Sequence, residues 1–366
     1  KFVPSSKAEG EVGAPDWTGA ILSTVGIAAL VFGLIEGRNY GWWNTTTDLD
    51  FLGRNWTTGS LSPVAIAFVI AGVTLVGLYV FETRRTHTGK SALIDFDLFK
   101  IKTFGLGSFA GLIISLGEFG ILFSLPLFMQ SVLGWSALGA GGLLASLAVG
   151  AFVAAPTAAQ LANKRNPRFV MRLGLVLEII AILGIAVTIS PSSSGWGLGS
   201  WLFVYGLGVG YSTAQLTGLI LSDIPVEKSG QASGTQSTAR QIGAAMGTAI
   251  LGTILFVSLH NNTEANLSSA DPSAGITSSL ATQVADVVES SAGTVIPHLG
   301  EIPFIPSTAV EFVQTQSELA FADAVSTVGY AAAFFLLLGL LASIALPPGD
   351  AHSRGTDESE LIHDFE

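Results

Sequence analysis

The sequence contains no cysteine and few charged residues, and both features narrow its class. Without cysteine the chain has no disulfide framework, no thiol chemistry and no cysteine-ligated metal. Its five histidines lie between or beyond long apolar runs, so no histidine is available for an intramembrane metal site or proton relay. Charged residues make up 12% of the chain, about half of the roughly 25% found in soluble domains, whereas 49% of residues are hydrophobic. This composition indicates a membrane protein.

No catalytic or cofactor motif is visible in the sequence. The phosphate-binding pattern G-x-x-x-x-G-K-[ST] is absent, so a nucleotide-driven pump is not supported and no cofactor is implied. The net charge of −11 is no signature of nucleic-acid binding, because it comes mostly from a predicted outer loop and from the acidic cytoplasmic tail 347–366. We therefore expect neither an enzyme nor a nucleic-acid partner.

Eight apolar runs are each long enough to cross the hydrocarbon core of a bilayer, which takes about 20 residues of helix. Backbone groups in lipid must bond within their own segment, and these runs lack the period-2 alternation of barrel strands, so we interpret them as helices. The predicted spans are Trp17–Glu36, Ser62–Phe81, Phe104–Met129, Ala137–Leu161, Phe169–Ser190, Leu198–Leu221, Gln236–Ser258 and Ala322–Leu346. The predicted fold is an all-α, polytopic transmembrane helical bundle of eight spans, with the lipid bilayer as its surroundings.

Basic residues are gathered on one side of these spans. An even number of spans places both termini on the same side, and of the 16 Lys and Arg residues only Arg38 and Arg54 fall on the other side. Cytoplasmic loops carry such an excess of Lys and Arg. We therefore expect a multi-pass protein of the plasma (cell) membrane with both termini in the cytoplasm.

The segments that flank the spans also carry predictions. Residues 1–16 are interpreted as a polar cytoplasmic connector. Residues 82–103 are a predicted cytoplasmic loop, in which Leu93–Phe104 is either an interfacial helix or a plain loop. The polar segment 259–321 is a predicted outer loop, in which Ile276–Val288 forms either a short surface helix or part of a flexible spacer.

Three groups of residues together resemble one known family. The first group is Gly230, Ala232, Ser233 and Gly234, followed by Arg240, Gln241, Gly243 and Gly247. The second is Leu125, Pro126, Leu127 and Gln130, followed by Gly134, Ser136, Ala140 and Gly141. The third is Asp16, Trp17 and Gly19, followed by Gly33, Glu36, Gly37, Gly41 and Trp42. Over almost the whole chain they resemble the fourteen-helix drug:proton antiporter branch of the major facilitator superfamily, the EmrB/QacA-like group.

This resemblance implies a domain organisation. Residues 17–81 would be the central transmembrane hairpin of that family, and residues 104–346 its six-helix C-terminal transporter domain. The family's N-terminal six-helix half and the motifs of that half are missing from the sequence, so the missing half would be a partner of this chain. Residues Gln160–Arg168 resemble the family's cytoplasmic motif but lack its usual Asp.

One set of residues is predicted to act in helix packing or in gating. Gly243 and Gly247 let a neighbouring helix approach closely, which is either plain packing or the contact at which two halves rock against each other. Arg240 lies near the inner membrane face, where it can snorkel to water and headgroups. We group Gln241, beside it, and Asp223, at the inner mouth, with this set.

Glu118 and Glu178 are the acidic residues deep within spans, where a charge costs roughly 2.5–3.5 kcal/mol or more. A carboxyl in such a position can load and release a proton. We place proton or cation binding at Glu118, which by resemblance lies on a cavity-lining helix, with a structural hydrogen bond as the alternative. Glu178 falls on a helix that is usually peripheral in the family, and we expect it to be protonated or paired against the central hairpin.

Other candidate ligands of substrate or proton come from the third and sixth spans. The spacing on the sixth span places polar groups on one helical face, and two phenylalanines on the third are candidate aromatic walls for a lipophilic cation, with ordinary packing as the alternative. The predicted substrate- and proton-binding set is Glu118, Ser115, Phe119, Phe123, Tyr205, Tyr211, Ser212 and Gln215.

The resemblance thus implies a secondary active transporter that carries small molecules and protons. The expected activity is proton-coupled efflux of drugs or other small lipophilic molecules by alternating access. Two alternatives stay open, namely a truncated, non-transporting membrane protein and a solute importer of the same fold.

Overall fold

The computed structural model describes residues 16–46, 48–51, 54–88, 92–269 and 276–345. The predicted connector, apart from Asp16, and the predicted acidic tail 347–366 lie outside these residues. Within the described part the chain forms two compact units. The first contains residues up to 109 together with 218–242, and the second contains residues 110–217 and 243–344.

The described residues are almost entirely helical. The α-helices are α1 (Trp17–Tyr40), α2 (Pro63–His87), α3 (Lys102–Ser131), α4 (Ala137–Lys164), α5 (Pro167–Thr188), α6 (Gly195–Leu221), α7 (Ser229–Ser268), α8 (Ser278–Ser290) and α9 (Val310–Ile344). A short antiparallel hairpin, β1 (Leu49–Phe51) and β2 (Arg54–Trp56), lies between α1 and α2. The predicted all-α bundle is confirmed.

Several helices begin at residues whose side chains accept the first free backbone N–H groups. Ser62 caps α2 and Asn166 caps α5, and in both helices a proline occupies the first turn, where its missing N–H costs nothing. Ser136 caps α4, and Thr277 caps α8. These polar residues explain why each helix begins where its apolar run begins.

Within the part of the chain that the structure describes, seven helices are long and apolar enough to cross a membrane, with mean hydropathies of 1.9 to 2.5 over their most apolar stretches. The remaining predicted span, Leu198–Leu221, is the sixth in chain order and corresponds to α6, which has 27 residues and is therefore about 40 Å long. Among the described residues α6 alone of the predicted spans falls outside that group of seven. Its glycines and its polar tyrosine, serine, threonine and glutamine side chains lower its hydropathy.

In the first unit, α1 and α2 form an antiparallel pair whose neighbours are the segment before α3 and the beginning of α7. A five-residue 3₁₀ helix, Phe96–Lys100, precedes α3. The structure thus lies between the two alternatives for Leu93–Phe104, an interfacial helix and a plain loop: residues 93–95 are not helical, a 3₁₀ helix of five residues follows, and α3 begins at Lys102.

In the second unit, the helices approach one another through small residues, as membrane helices commonly do. Gly206 of α6 lies against the backbone of Leu147 in α4. Gly329 of α9 lies against Ala186 of α5, whose carbonyl accepts a hydrogen bond from Ser326 Oγ at 2.6 Å. This packing buries the middle of α5 between its neighbours.

The predicted outer loop 259–321 is largely helical. Helix α7 has 40 residues, about 60 Å of helix, and continues to Ser268, well past the predicted end of its span. Helix α8 occupies most of Ile276–Val288 and buries Val284 and Val288, so the short-helix alternative is correct and the flexible spacer is wrong for these residues. A hydrogen bond of 2.7 Å from Thr282 Oγ1 to Glu264 Oε1 ties α8 to the end of α7.

Candidate functional site

The carboxyl of Glu178 lies in the interior of the second unit, on α5. Its side chain is fully buried, and Ser212 of α6 donates a hydrogen bond from Oγ to Glu178 Oε1 at 2.5 Å. Both groups are far from the ends of their helices. A polar contact of this kind, deep between two helices, gives one oxygen of the carboxyl a hydrogen bond and so reduces the cost of placing it in the bilayer.

Two glycines allow this contact to form. Gly174 of α5 faces the Gly208 carbonyl and the Ser212 amide of α6, and Gly208 faces the Gly174 carbonyl and the Cγ of Glu178. A side chain at either glycine would occupy the position of the opposite helix. The absence of side chains at these two positions therefore brings the α5 carboxyl within reach of the α6 hydroxyl.

Glu118 and Tyr205 lie in the same unit and belong to the same polar region. Glu118 on α3 is 4% exposed, and Ser115, one turn earlier, is fully buried. Tyr205 on α6 is 1% exposed and lies within electrostatic range of both Glu118 and Glu178. Its hydroxyl has no hydrogen-bond partner among the described residues. We call Glu118, Glu178, Tyr205 and Ser212 the carboxyl cluster.

The structure adds a contact that was not expected for Glu178. The family resemblance implied a peripheral helix, with Glu178 protonated or paired against the central hairpin. In the structure Glu178 is fully buried and accepts a hydrogen bond from Ser212 of α6 within the second unit. A usable signal was present in the sequence, because Gly174 precedes Glu178 by four residues and Gly208 precedes Ser212 by four. Matching glycine and polar positions on two spans predict a close helix pair with a polar contact one turn further on.

The other predicted substrate residues of the second unit are more dispersed. Phe123 packs edge-to-face on Phe256 of α7, with ring centres 6.2 Å apart. Tyr211 is hydrogen-bonded through its hydroxyl to Thr157 Oγ1 of α4 at 3.0 Å. Phe119 is 42% exposed on the surface of the unit, and Gln215 is half-buried.

The predicted gating set divides between the two units. Gly243 and Gly247 lie in the second unit and pack against the backbone of Leu112 and Leu116 in α3, so their close-packing interpretation agrees with the observed contact. The other three members, Asp223, Arg240 and Gln241, lie in the first unit.

Asp223 has a clear structural partner in that unit. Its Oδ2 accepts a hydrogen bond of 2.8 Å from Thr103 Oγ1, at the beginning of α3. Arg240 is half-buried and Gln241 is exposed. These three side chains are therefore not part of the carboxyl cluster.

A surface groove of about 830 Å³ lies between α4 and α6 in the second unit. Leu143, Ser146, Trp196, Phe203 and Val204 are among its lining residues. None of the predicted substrate residues lines this groove.

The long apolar helices and the buried carboxyl cluster define a polytopic helical membrane protein. The model of the Major Facilitator Superfamily matches residues 17–248, which is more than half of the chain. The chain therefore belongs to the Major Facilitator Superfamily.

Several curated proteins are similar to this chain. The probable actinorhodin transporter of Streptomyces coelicolor is 28% identical over 245 residues, covering 66% of this chain and 39% of that protein. The multidrug resistance protein Stp of Mycobacterium tuberculosis is 25% identical over 352 residues, covering 95% of this chain and 59% of that protein. The multidrug efflux pump LfrA of Mycolicibacterium smegmatis is 31% identical over 204 residues, covering 56% of this chain and 40% of that protein.

The chain thus spans between 39% and 59% of the length of these three relatives. Among solved structures, a bacterial homologue of the human lysosomal transporter Spinster, in an inward-facing and unoccupied conformation, matches with a TM-score of 0.48 and 15% identity. That match covers 89% of this chain and 69% of the other.

Proposed function

We propose that this chain is the central hairpin and the C-terminal six-helix domain of a fourteen-helix exporter, which moves small lipophilic molecules out of the cell in exchange for protons. Family membership and the names of the similar proteins, a multidrug resistance protein and a multidrug efflux pump among them, support this assignment. The partial coverage of those relatives is consistent with a further six-helix half that belongs to the same transporter.

The observation that carries the proposal is the carboxyl cluster. Two acidic side chains, Glu118 and Glu178, are buried in one unit of a membrane protein, each about half-way along its helix. Such residues are rare in spans, and in transporters they mark proton and ion pathways. A carboxyl that gains or loses a proton changes the electrostatic free energy of the whole helix bundle around it, and this change is what couples a proton to a conformational step.

Ser212 gives Glu178 a way to hold or release a proton without moving a helix. Its hydroxyl donates to Glu178 Oε1 at 2.5 Å, and it also lies 3.3 Å from the carbonyl of Val209 on its own helix. When Glu178 is ionised, the hydroxyl donates to the carboxylate. When Glu178 is protonated, the carboxyl donates to Oγ and the hydroxyl turns to the Val209 carbonyl, so both states keep their hydrogen bonds.

Glu118 and Tyr205 supply the rest of the proposed site. A lipophilic cation that binds near an ionised Glu118 and a proton that neutralises the same carboxyl compete for one charge, which is the simplest basis for exchange. The buried Tyr205 hydroxyl offers a donor or acceptor to either. In this mechanism two helical domains rock around the site, and the proton enters as the substrate leaves.

The distribution of Lys and Arg supports a cell-membrane protein with both termini in the cytoplasm. Loops with an excess of basic residues stay on the cytoplasmic side. In that orientation α8 and the end of α7 face the outside.

The test is dye transport by the product of the complete reading frame that contains this sequence. Everted vesicles from a host without its own multidrug pumps are energised to be acidic inside, and ethidium uptake is followed by fluorescence. We expect uptake that collapses with nigericin and falls at least tenfold in Glu118→Gln and in Glu178→Gln. Glu311→Gln, an exposed position on α9, removes the same charge and should retain wild-type uptake.

The alternatives give different results in the same experiment. An importer would accumulate its solute in right-side-out vesicles instead. A non-transporting membrane protein would insert normally but give no proton-dependent flux for the complete product or for this chain alone. Uptake that continues unchanged in both glutamate variants would overturn the role of the carboxyl cluster.

A further inference from the structure

A second pair of carboxyl groups lies in the first unit, outside the carboxyl cluster. Asp16 immediately precedes α1, and Glu82 lies near the end of α2, where its side chain is fully buried. The two carboxyls converge on Gly19, because Asp16 Oδ2 and Glu82 Oε1 both border the space that a side chain at Gly19 would fill. Neither of these two oxygens accepts a hydrogen bond from an N–H or O–H of any described residue.

The surrounding groups distinguish the two acids. Asp16 Oδ1 accepts the backbone N–H of Gly19 at 2.8 Å, as the cap of α1, and Asp16 Oδ2 lies 3.3 Å from Arg85 Nε. A helix N-terminus and a guanidinium both favour the charged form of a carboxyl. Glu82 has instead one backbone donor, the N–H of Leu93, which binds Oε2 at 3.0 Å. These contacts place a proton that is shared between the two acids on Glu82.

Glu82 also holds the segment before α3 in place. Two further contacts flank its hydrogen bond with Leu93. On one side Gln231 Nε2 donates a hydrogen bond to the Ala92 carbonyl at 2.5 Å. On the other side Lys228 forms an ion pair with Asp95 at 2.6 Å. The segment 92–95 is thus fixed on one side by α2 and on the other by the beginning of α7.

A cavity of about 350 Å³ borders this segment. It is lined by α1, by residues 92–94 and by the first turns of α7, including Ser23, Ala92, Gln231 and Thr235. Release of the segment would open this cavity.

We propose that Asp16 and Glu82 form a proton-binding site, which holds one shared proton and thereby clamps segment 92–95 to α2. With the proton present, Glu82 Oε1–H donates to Asp16 Oδ2 and Glu82 Oε2 accepts from Leu93. Two carboxylates in contact cannot both stay ionised, so loss of the proton drives Glu82 away from Asp16. Leu93 then loses its acceptor, and the segment is released at high pH.

The other charged groups near the pair do not replace this proton. Arg85 is ion-paired with Asp16 and also attracts the ionised form of Glu82, but burial and the charge of Asp16 oppose that ionised form more strongly. Asp95 and Lys228 bind each other. The inference does not depend on transport, since it concerns one conformational equilibrium within the first unit.

The experiment measures the accessibility of a cysteine at position 92 in the purified protein. The sequence has no other cysteine, so Ala92→Cys gives a single reporter at a position that is 8% exposed. Its rate of maleimide labelling is divided by the rate of a Thr88→Cys variant, whose exposed position lies just after α2. This ratio removes the pH dependence that comes from ionisation of the thiol itself. We expect the ratio to rise about tenfold with pH, the effect of ~1.4 kcal/mol of repulsion.

Glu82→Gln keeps a donor toward Asp16 and an acceptor for Leu93 but has no proton to lose, so its ratio should stay low at every pH. Asp97→Asn is the matched control on the neighbouring turn. The hydrogen bond and charge of Lys100 hold the pKa of Asp97 below its ordinary value, so Asp97 keeps its charge throughout the titration and its removal should leave the wild-type pH profile intact.

Infrared difference spectra provide a second readout that needs no labelling. A carboxylic-acid carbonyl band that disappears with rising pH in the wild type, and is missing in Glu82→Gln, supports the shared proton. A pH-independent labelling ratio in the wild type, or a carboxyl band that is unchanged in Glu82→Gln, overturns it. If the complete protein showed no dye transport but the labelling ratio kept the expected pH dependence, the result would contradict the proposed function and leave this inference standing.

Discussion

Gly208 of α6 packs directly on the side chain of Glu178 in α5, one turn before Ser212 donates its hydrogen bond to the same carboxyl. In the proposed function, neighbouring residues of one helix therefore control both the distance between two helices and the protonation chemistry of a buried acid. A change in either the glycine or the serine should affect both, but in different ways.

The glycine should control the distance between the helices. In Gly208→Leu the new side chain meets the Glu178 Cγ and the Gly174 carbonyl, and overpacking of this kind costs about 1–3 kcal/mol or more. We expect a lower melting temperature in detergent and loss of the Ser212 contact. Gly218→Ala on the same helix meets open space and should melt at or above the wild-type temperature. Equal destabilisation of both variants would contradict this account.

The serine should control the ionised state of Glu178. Ser212→Ala removes the hydrogen bond to the carboxylate, which is worth about 1.5–3 kcal/mol for a charged acceptor. The ionised form loses this stabilisation and the protonated form loses less, so the pH profile of dye transport should move to higher pH. Ser212→Thr keeps the hydroxyl and should keep the wild-type profile. A profile that is the same in the alanine variant would show that the hydroxyl only fills space.

The helical bundle and the burial of Glu118 could be predicted from the sequence, because both follow from the length of apolar runs and from the cost of charge in lipid. The sequence was insufficient for the partner of Glu178, since that contact depends on which helix faces lie opposite each other. The proposed role of Glu82 was not visible either, because its acid partner lies 66 positions earlier in the chain. Helix ends were the other weak point, as α7 and α9 extend far into a segment that is polar enough to suggest a loop.

The proposed orientation of the protein gives a further prediction. If both termini lie in the cytoplasm, the turn before α9 faces the outside. A single cysteine in Ser307→Cys, at an exposed position, should be labelled by an impermeant maleimide in intact cells. Lys164→Cys, exposed at the end of α4, should be labelled only after permeabilisation. The reverse pattern would require the opposite topology and would remove the basis for assigning export.

The glycines of α7 that belong to the first group of family-like residues should not be equivalent in their effect on stability, although the sequence pattern groups them together. Gly243 and Gly247 face the backbone of α3, whereas Gly230 and Gly234 meet no atom that a Cβ would contact. Alanine at either of the first two pushes α7 away from α3 and should lower the melting temperature, with a larger effect for leucine. Alanine at Gly230 or Gly234 should instead raise it slightly, because alanine is favoured over glycine within a helix by roughly 0.5–1 kcal/mol. Alanine at Gly234 could instead abolish transport while the melting temperature rises. In that case transport would require flexibility in the first turns of α7. The contact at which the two halves rock against each other would then lie at these turns and not at Gly243 and Gly247.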